Sequence, residues 1–273
     1  MMRRFPPRLT MGAVLVGLVS LTALLSLVWT PCDAAAIDVA LRLQPPSAAH
    51  LFGTDAFGRD VLSMVMVGAR GAIGVAAGAA LIGVAGGVPL GLLAAAHPGW
   101  IDEMVMRSGD VVFAFPTVLL AVLLAAGFGP GATTTAAAIG IFNIPVFARL
   151  TRNGARLLWT RGFVLAARAA GAGPFGISLH HILPNLLGLL VIQSTIQLSV
   201  AILADAGLSY VGLGSQPPAL SWGRMLEEAQ TMTGVAPWLT LFPGIAVVVT
   251  LMGLSLLGDG LGTVLDPRHE RRV

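Results

Sequence analysis

Residues 71–96 read GAIGVAAGAALIGVAGGVPLGLLAAA, an unbroken apolar stretch without a charged side chain. This stretch is longer than the roughly 20 residues that an α-helix needs to cross a bilayer core about 30 Å thick. The whole chain has the same character, since 56% of its 273 residues are hydrophobic and 11% are charged. A water-soluble domain of this length does not need so large an apolar excess. The sequence therefore predicts an integral membrane protein.

Five further apolar stretches divide the rest of the chain. The six predicted spans are residues 11–29, 71–96, 111–127, 131–148, 185–207 and 237–258. None of them shows the repeated ten-residue alternation that an outer-membrane β-barrel requires, and an unbroken apolar run satisfies its backbone in lipid as a helix. The predicted fold class is all-α, a polytopic membrane protein with about six transmembrane helices.

The first apolar stretch follows Arg3, Arg4 and Arg8 and fits either a secretory signal peptide or an uncleaved anchor. The three alanines at 34–36 resemble a cleavage site. The run of about 19 residues is longer than the 7–15 of a signal peptide, and further spans follow it. These two features favour an anchor.

Arginine supplies all sixteen basic residues, and its distribution predicts the orientation of the chain. If the N-terminus is cytoplasmic, four arginines lie outside and the other twelve inside, as the positive-inside rule requires. The outside segments are then 30–70, 127–131 and 208–236, and the inside segments, besides the N-terminus, are 97–110, 149–184 and 259–273. Both termini are therefore predicted to be cytoplasmic.

Several chemistries are disfavoured by the residues present. The chain has no lysine, which a Walker A phosphate loop requires, and its arginines flank apolar helices instead of clustering with aromatics as in nucleic-acid proteins. Cys32 has no second thiol, and adjacent His180 and His181 point about 100° apart on a helix, so no metal site or cofactor is predicted. Ser209 is a poor hydrolase nucleophile, because the only later histidine is His269 in the tail.

The main functional alternative is an ion-coupled secondary transporter. Asp205 lies near the end of the fifth predicted span, and a buried carboxylate can bind a coupling ion. Asp110 and Asp259, however, lie at predicted span ends, and no inverted repeat of broken helices is evident.

Residues 149–184 carry the most informative motif. They begin with RLTRNGAR at 149–156 and continue with GFVLAARAAG at 162–171, and Ile-Leu-Pro follows at 182–184. A connection this long that is rich in alanine and still moderately apolar predicts a short docking helix. The spacing of Ala-Ala, Gly and Ile-Leu-Pro resembles the EAA loop of bacterial binding-protein-dependent ABC importers, although Leu165 replaces the family's leading acidic residue.

Three further blocks resemble the permease subunits of dipeptide, oligopeptide and nickel importers. They are HLFGTDAFGRDVLS at 50–63, GLSYVGLGSQPPALSWG at 207–223 and GDGLGTVLDPR at 258–268. The likeness covers roughly residues 48–268 with the blocks in the right order.

The resemblance implies a type I ABC permease fold in the bacterial inner membrane, without ATP hydrolysis by this chain. The implied partners are a second homologous permease subunit, ATP-binding subunits, an extracytoplasmic solute-binding protein and the lipid bilayer, with no nucleic acid. The implied substrate is a dipeptide or short oligopeptide, with a nickel chelate as the alternative.

The resemblance also suggests residue roles, with no catalytic residue among them. The residues expected to couple to the ATPase are Arg161, Ala166, Ala167, Arg168, Gly171, Ile182, Leu183 and Pro184. The residues expected to dock the binding protein are Asp55, Arg59, Asp60 and Trp222. We divide the chain into an anchor and external segment (1–70), a permease core (71–260, with the coupling loop at about 149–184) and a cytoplasmic tail (261–273).

Overall fold

The computed structural model describes residues 6–265, which are nearly all helical. The helices in chain order are α1 (Pro7–Leu25), α2 (Val61–Ala96), α3 (Trp100–Ala114), α4 (Thr117–Phe128), α5 (Ala132–Trp159), α6 (Gly162–Ala169), α7 (Pro174–Ile177), α8 (Leu183–Tyr210), α9 (Trp222–Ala229) and α10 (Trp238–Leu265). A π-helical turn at Ser178–Ile182 joins α7 to α8. The predicted all-α class is confirmed. The end of the 258–268 block, His269 and five arginines (Arg3, Arg4, Arg268, Arg271 and Arg272) lie outside the described residues.

Within residues 6–265, five stretches of helix are long and apolar enough to cross a membrane, namely α1, α2, α5, α10 and the joined helix Pro174–Tyr210. The pair α3 and α4 provides a sixth span if its two parts count together. The prediction of one continuous span at 111–127 is wrong, because α3 and α4 meet at an 84° bend. Phe115 leaves the helical conformation immediately before Pro116, as the proline ring dictates for the preceding residue.

Glycines allow α2 to approach α5 closely. A Cβ placed on Gly83 would lie 2.6 Å from Cβ of Asn143, and one on Gly87 would overlap the backbone of α5. Gly83, Gly87 and Gly91, at intervals of four in α2, therefore form a packing surface inside this chain. Helix α1 packs in a similar way on α10, where a Cβ on Gly260 would meet Leu9.

Three connections meet at one end of the helix bundle. The segment between α1 and α2 contacts the region after α8, since Trp238 Nε1 donates to the carbonyl oxygen of Thr54 at 3.1 Å. The start of α5 joins them, because Thr135 Oγ1 donates to the carbonyl oxygen of Leu213 at 3.3 Å. We call residues 30–60 and 211–237 the cap layer. The three segments predicted to share the outer face thus lie together.

The remaining connections meet at the opposite end. The helix α3 is joined to the end of α5 by ion pairs, and Arg8 at the start of α1 lies 4.0 Å from Asp259 near the end of α10. This two-ended arrangement agrees with the grouping of segments that the arginine distribution predicts.

Candidate functional site: a coupling segment and a cap layer

A short helix protrudes between α5 and α8, at the position predicted to dock a partner. We call residues 160–184 the coupling segment. Its helix α6 ends in a Schellman motif, in which Gly171 N–H bonds the carbonyl of Arg168 and Ala172 N–H bonds the carbonyl of Ala167, both at 3.0 Å. Gly171 has φ +85°, a conformation that glycine adopts without steric cost. The glycine therefore ends α6 and turns the chain back towards the bundle.

One face of α6 is anchored and the other is open. Val164 is fully buried in an apolar cluster that includes Ile177, Ile182 and Leu186. Ala166 and its neighbours on the outer face are exposed. Phe163 and Leu165 are also exposed, so the open face combines small alanines with two large apolar side chains that a partner can cover.

The eight predicted coupling residues divide between these two faces. Five have exposed side chains or backbone, two are half-buried and one is in the core. The exposed residues are Arg161, Ala166, Arg168, Gly171 and Pro184, the half-buried residues are Ala167 and Leu183, and the core residue is Ile182. Ile182 can therefore anchor the segment but cannot touch a partner.

The arginines near the end of α5 form ion pairs with α3, which we call the Asp102 lock. Arg152 donates to both carboxylate oxygens of Asp102, at 2.6 and 2.7 Å, and Arg156 donates to one of them at 2.6 Å. Arg149 pairs with Asp110 two helical turns further along α3. Sequence reasoning missed Asp102, because its partners follow 50 and 54 residues later in the chain. The Asp102 lock holds the end of α5, after which the coupling segment begins, against α3.

The predicted docking residues of the cap layer are mostly internal. Asp55, Asp60 and Trp222 are 7%, 3% and 2% exposed, and the Trp222 ring nitrogen donates to the carbonyl oxygen of Val65 at 2.9 Å. Side chains buried to this degree cannot contact a docked protein while the cap layer stays folded. These three side chains instead hold the cap layer against the start of α2.

Arg59 is the centre of an ion-pair network that joins the two parts of the cap layer. Its Nε donates to Asp55 Oδ2 at 2.6 Å and its Nη2 to Glu228 Oε2 at 2.9 Å. The other oxygen of Glu228 accepts from Arg224 Nε at 2.9 Å. Sequence reasoning missed Glu228, since 169 residues separate it from Arg59. Arg59 thus connects two segments that are distant in sequence.

The family described as "Binding-protein-dependent transport system inner membrane component" matches residues 87–271. The chain belongs to this family. The matched region contains α5, the coupling segment, α8, the 211–237 part of the cap layer and α10. It also extends back into α2, which contributes the glycine surface against α5.

Two named relatives extend the match towards the N-terminus. The permease is 38% identical to the dipeptide transport system permease protein DppC of Alkalihalophilus pseudofirmus, over 95% of this chain and 85% of that protein. It is 41% identical to the glutathione transport system permease protein GsiD of Pectobacterium atrosepticum, over 82% of this chain and 74% of that protein.

A solved structure shows the same fold at lower sequence identity. A chain of the methionine ABC transporter MetNI, in an inward-facing conformation, matches 74% of this permease and 96% of its own length. The TM-score is 0.62 and the identity is 21%. The predicted ABC permease fold is therefore confirmed, and the relatives support the permease assignment over the secondary-transporter alternative.

Asp205, which motivated that alternative, is 2% exposed and lies inside α8. Its Oδ1 atom and the hydroxyl of Ser209 one turn later have no hydrogen-bond partner among the described residues. Within the described residues, α8 carries no second carboxylate, and Asp205 belongs to no cluster of three His, Cys, Asp or Glu side chains.

Proposed function

We propose that this permease forms, together with a second homologous permease chain, the translocation path of an ATP-driven importer of dipeptides or short oligopeptides. The two named relatives support this substrate class. One is named for dipeptide transport and the other for transport of glutathione, which is itself a tripeptide. A small peptide is the chemistry that these two names share.

The observation that carries the coupling role is the open face of α6. Ala166 and Ala169 leave part of the helix backbone accessible, and exposed Phe163 and Leu165 add apolar surface, so a groove on an ATP-binding subunit can close around the helix. Arg161 and Arg168 are exposed at the two ends of α6, where they can add charge-assisted hydrogen bonds at the rim of such a groove.

Movement of α6 has a physical route into the membrane part. Val164 packs into the cluster that also contains Phe147 of α5 and Ile182 and Leu186 at the start of α8. Close-packed interiors transmit displacement as rigid units, so a pull on α6 shifts α5 and α8 together. The Asp102 lock carries α3 with them.

The remaining partners follow from the same proposal. ATP-binding subunits dock on the coupling-segment end, which is cytoplasmic together with both termini. An extracytoplasmic solute-binding protein docks on the opposite end and delivers the peptide to the cap layer. Backbone and exposed side chains of the cap layer form that docking surface, and Asp55, Arg59, Asp60 and Trp222 maintain its shape.

An outward-facing charge on α6 tests the coupling role. Ala166→Glu leaves the helix and its Val164 anchor intact, because the side chain is exposed, but it places a carboxylate in the proposed groove. We expect peptide-stimulated ATP hydrolysis in the reconstituted complex to fall at least tenfold, since a buried unpaired charge costs several kcal/mol. Ala166→Ser, which puts a small uncharged side chain at the same exposed position, is the control and keeps full activity.

Full stimulation in Ala166→Glu, at normal assembly, would show that the ATP-binding subunits dock elsewhere. Equal loss of activity in Ala166→Ser would show that the carboxylate is not the cause and would also contradict the assignment of α6.

A further inference from the structure

Three potential metal ligands converge beside the start of α2. They are the thiol of Cys32, the imidazole of His50 and the carboxylate of Asp60, and their ligand atoms all lie within 4.8 Å of one another. Cys32 and His50 belong to the segment that joins α1 to α2, and Asp60 is the N-cap of α2. The proposed transport function uses none of the three as a ligand.

A hydrogen-bond chain holds this cluster in place. Asp60 Oδ2 accepts bonds from the backbone N–H and the hydroxyl of Ser63, at 2.8 and 2.7 Å. The same hydroxyl accepts a bond from the backbone N–H of Cys32 at 3.0 Å. Ser63 is fully buried, so these bonds do not compete with water. Asp60 Oδ2 is thus committed to the helix cap, and Oδ1 remains for another partner.

The second carboxylate oxygen is hydrogen-bonded to the second ligand. Asp60 Oδ1 lies 3.0 Å from His50 Nδ1, and a metal ion bound between the two atoms would replace the proton that they share. Tetrahedral coordination with metal–ligand bonds of about 2.0–2.3 Å places neighbouring ligand atoms about 3.3–3.6 Å apart. The half-buried thiol of Cys32 lies within 4.8 Å of a ligand atom of both His50 and Asp60.

The kind of ion follows from the donor atoms. A thiolate, an imidazole and a carboxylate suit zinc and related divalent transition metals, whereas calcium and magnesium prefer oxygen ligands throughout. The thiolate and the carboxylate together carry the two negative charges that balance a divalent cation. Ser63 would act as a positioning residue, because its two hydrogen bonds to Asp60 Oδ2 fix the orientation of the carboxylate.

We propose that Cys32, His50 and Asp60 bind one divalent transition-metal ion of the zinc type. The ion fastens the segment after α1 to the first turn of α2, and so stabilises the cap layer. This inference is independent of the transported substrate and of the coupling segment.

Cobalt provides a spectroscopic test, because Cys32 is the only cysteine of the chain. Thiolate-to-cobalt charge-transfer absorption of the purified full chain therefore reports this site alone. We expect the band to saturate at one Co²⁺ per chain. Cys32→Ser removes the band, and His50→Gln and Asp60→Asn weaken Co²⁺ binding more than tenfold. Asparagine caps a helix as well as aspartate does, so Asp60→Asn keeps α2 folded. His97→Gln, at the other end of α2, is the control and keeps the band.

Thermal unfolding gives a second measurement. Zinc raises the unfolding temperature of the unmodified chain and of His97→Gln, but not that of Cys32→Ser. The proposal is overturned if the folded, reduced chain shows no more charge-transfer absorption than Cys32→Ser. It is equally overturned if the band is unchanged in both His50→Gln and Asp60→Asn, since the thiol would then bind cobalt without the other two ligands.

Discussion

At the scale of single residues, burial decides which polar side chains can have which role. The sequence pattern around residues 50–63 predicts charged groups near a membrane surface, and the structure places Asp55 and Asp60 inside the cap layer. Exposed ion pairs contribute only about 0–1 kcal/mol, whereas removing one partner from a buried pair costs about 3–5 kcal/mol. The network of Arg59 with Asp55 and Glu228 belongs nearer to the second case, because the Arg59 side chain is 16% exposed.

Arg59→Ala tests this stabilising role. The substitution leaves the carboxylates of Asp55 and Glu228 without their shared cation, so we expect a loss of about 3 kcal/mol and a fall of roughly 5–10 °C in the thermal unfolding temperature of the purified chain. Arg42→Ala is the control, since Arg42 is exposed in the same layer, and it should shift the transition by less than about 2 °C. Equal unfolding temperatures for the two variants would mean that the network contributes nothing to the fold.

At the scale of helices, the contact of α2 with α5 depends on the absence of side chains at defined positions. A Cβ on Gly87 would lie 2.6 Å from Cβ of Phe147 and 2.9 Å from the backbone nitrogen of Ala148. A Cβ on Gly74, in the same helix, would meet no atom within 4 Å. The same substitution at these two positions therefore separates packing from helix propensity.

We expect opposite results for the two alanine variants. Gly74→Ala should leave the unfolding temperature unchanged or raise it slightly, because alanine is favoured over glycine in a helix by about 1 kcal/mol. Gly87→Ala should lower it clearly, because the methyl group would push against the α5 backbone and overpacking of this kind costs about 1–3 kcal/mol or more. Thermal unfolding in detergent compares the two directly. A stabilising Gly87→Ala would contradict the close approach of the helices.

Sequence periodicity predicts helices well where the signal is local. The apolar stretches and the short docking helix within residues 149–184 both depend on residues near one another in sequence. The bend at Phe115 was missed because the apolar composition of residues 111–127 is hardly changed by the single residue Pro116. The lock at Asp102 was missed for a different reason, since its partners lie 50 and 54 residues away and neither residue type indicates its partner.

The cluster of Cys32, His50 and Asp60 could not be predicted either, because its members are also distant in sequence. Gaps of 18 and 10 residues separate its members, unlike the short ligand spacings of recognisable metal motifs. The burial of Trp222 also depends on tertiary contacts, because its ring fills the space over Gly68 of α2. Positions of this kind become visible only when the helices are assembled.

At the scale of the whole molecule, the two ends of the bundle have different chemistry. One end presents α6 and the other presents the cap layer, and the membrane spans connect them. An ATP-driven importer needs this polarity, because the force is applied on one side and the substrate arrives on the other. An ion-coupled transporter needs no nucleotide on either side.

The most direct measurement is peptide uptake into proteoliposomes that contain the complete complex in one orientation. With the binding protein and a labelled dipeptide on the cap-layer side, we predict uptake that requires ATP on the α6 side. Uptake should persist when ionophores collapse all ion gradients, and ATP supplied only on the cap-layer side should not support it. Uptake driven by an ion gradient without ATP, or supported by ATP on the cap-layer side, would contradict the account.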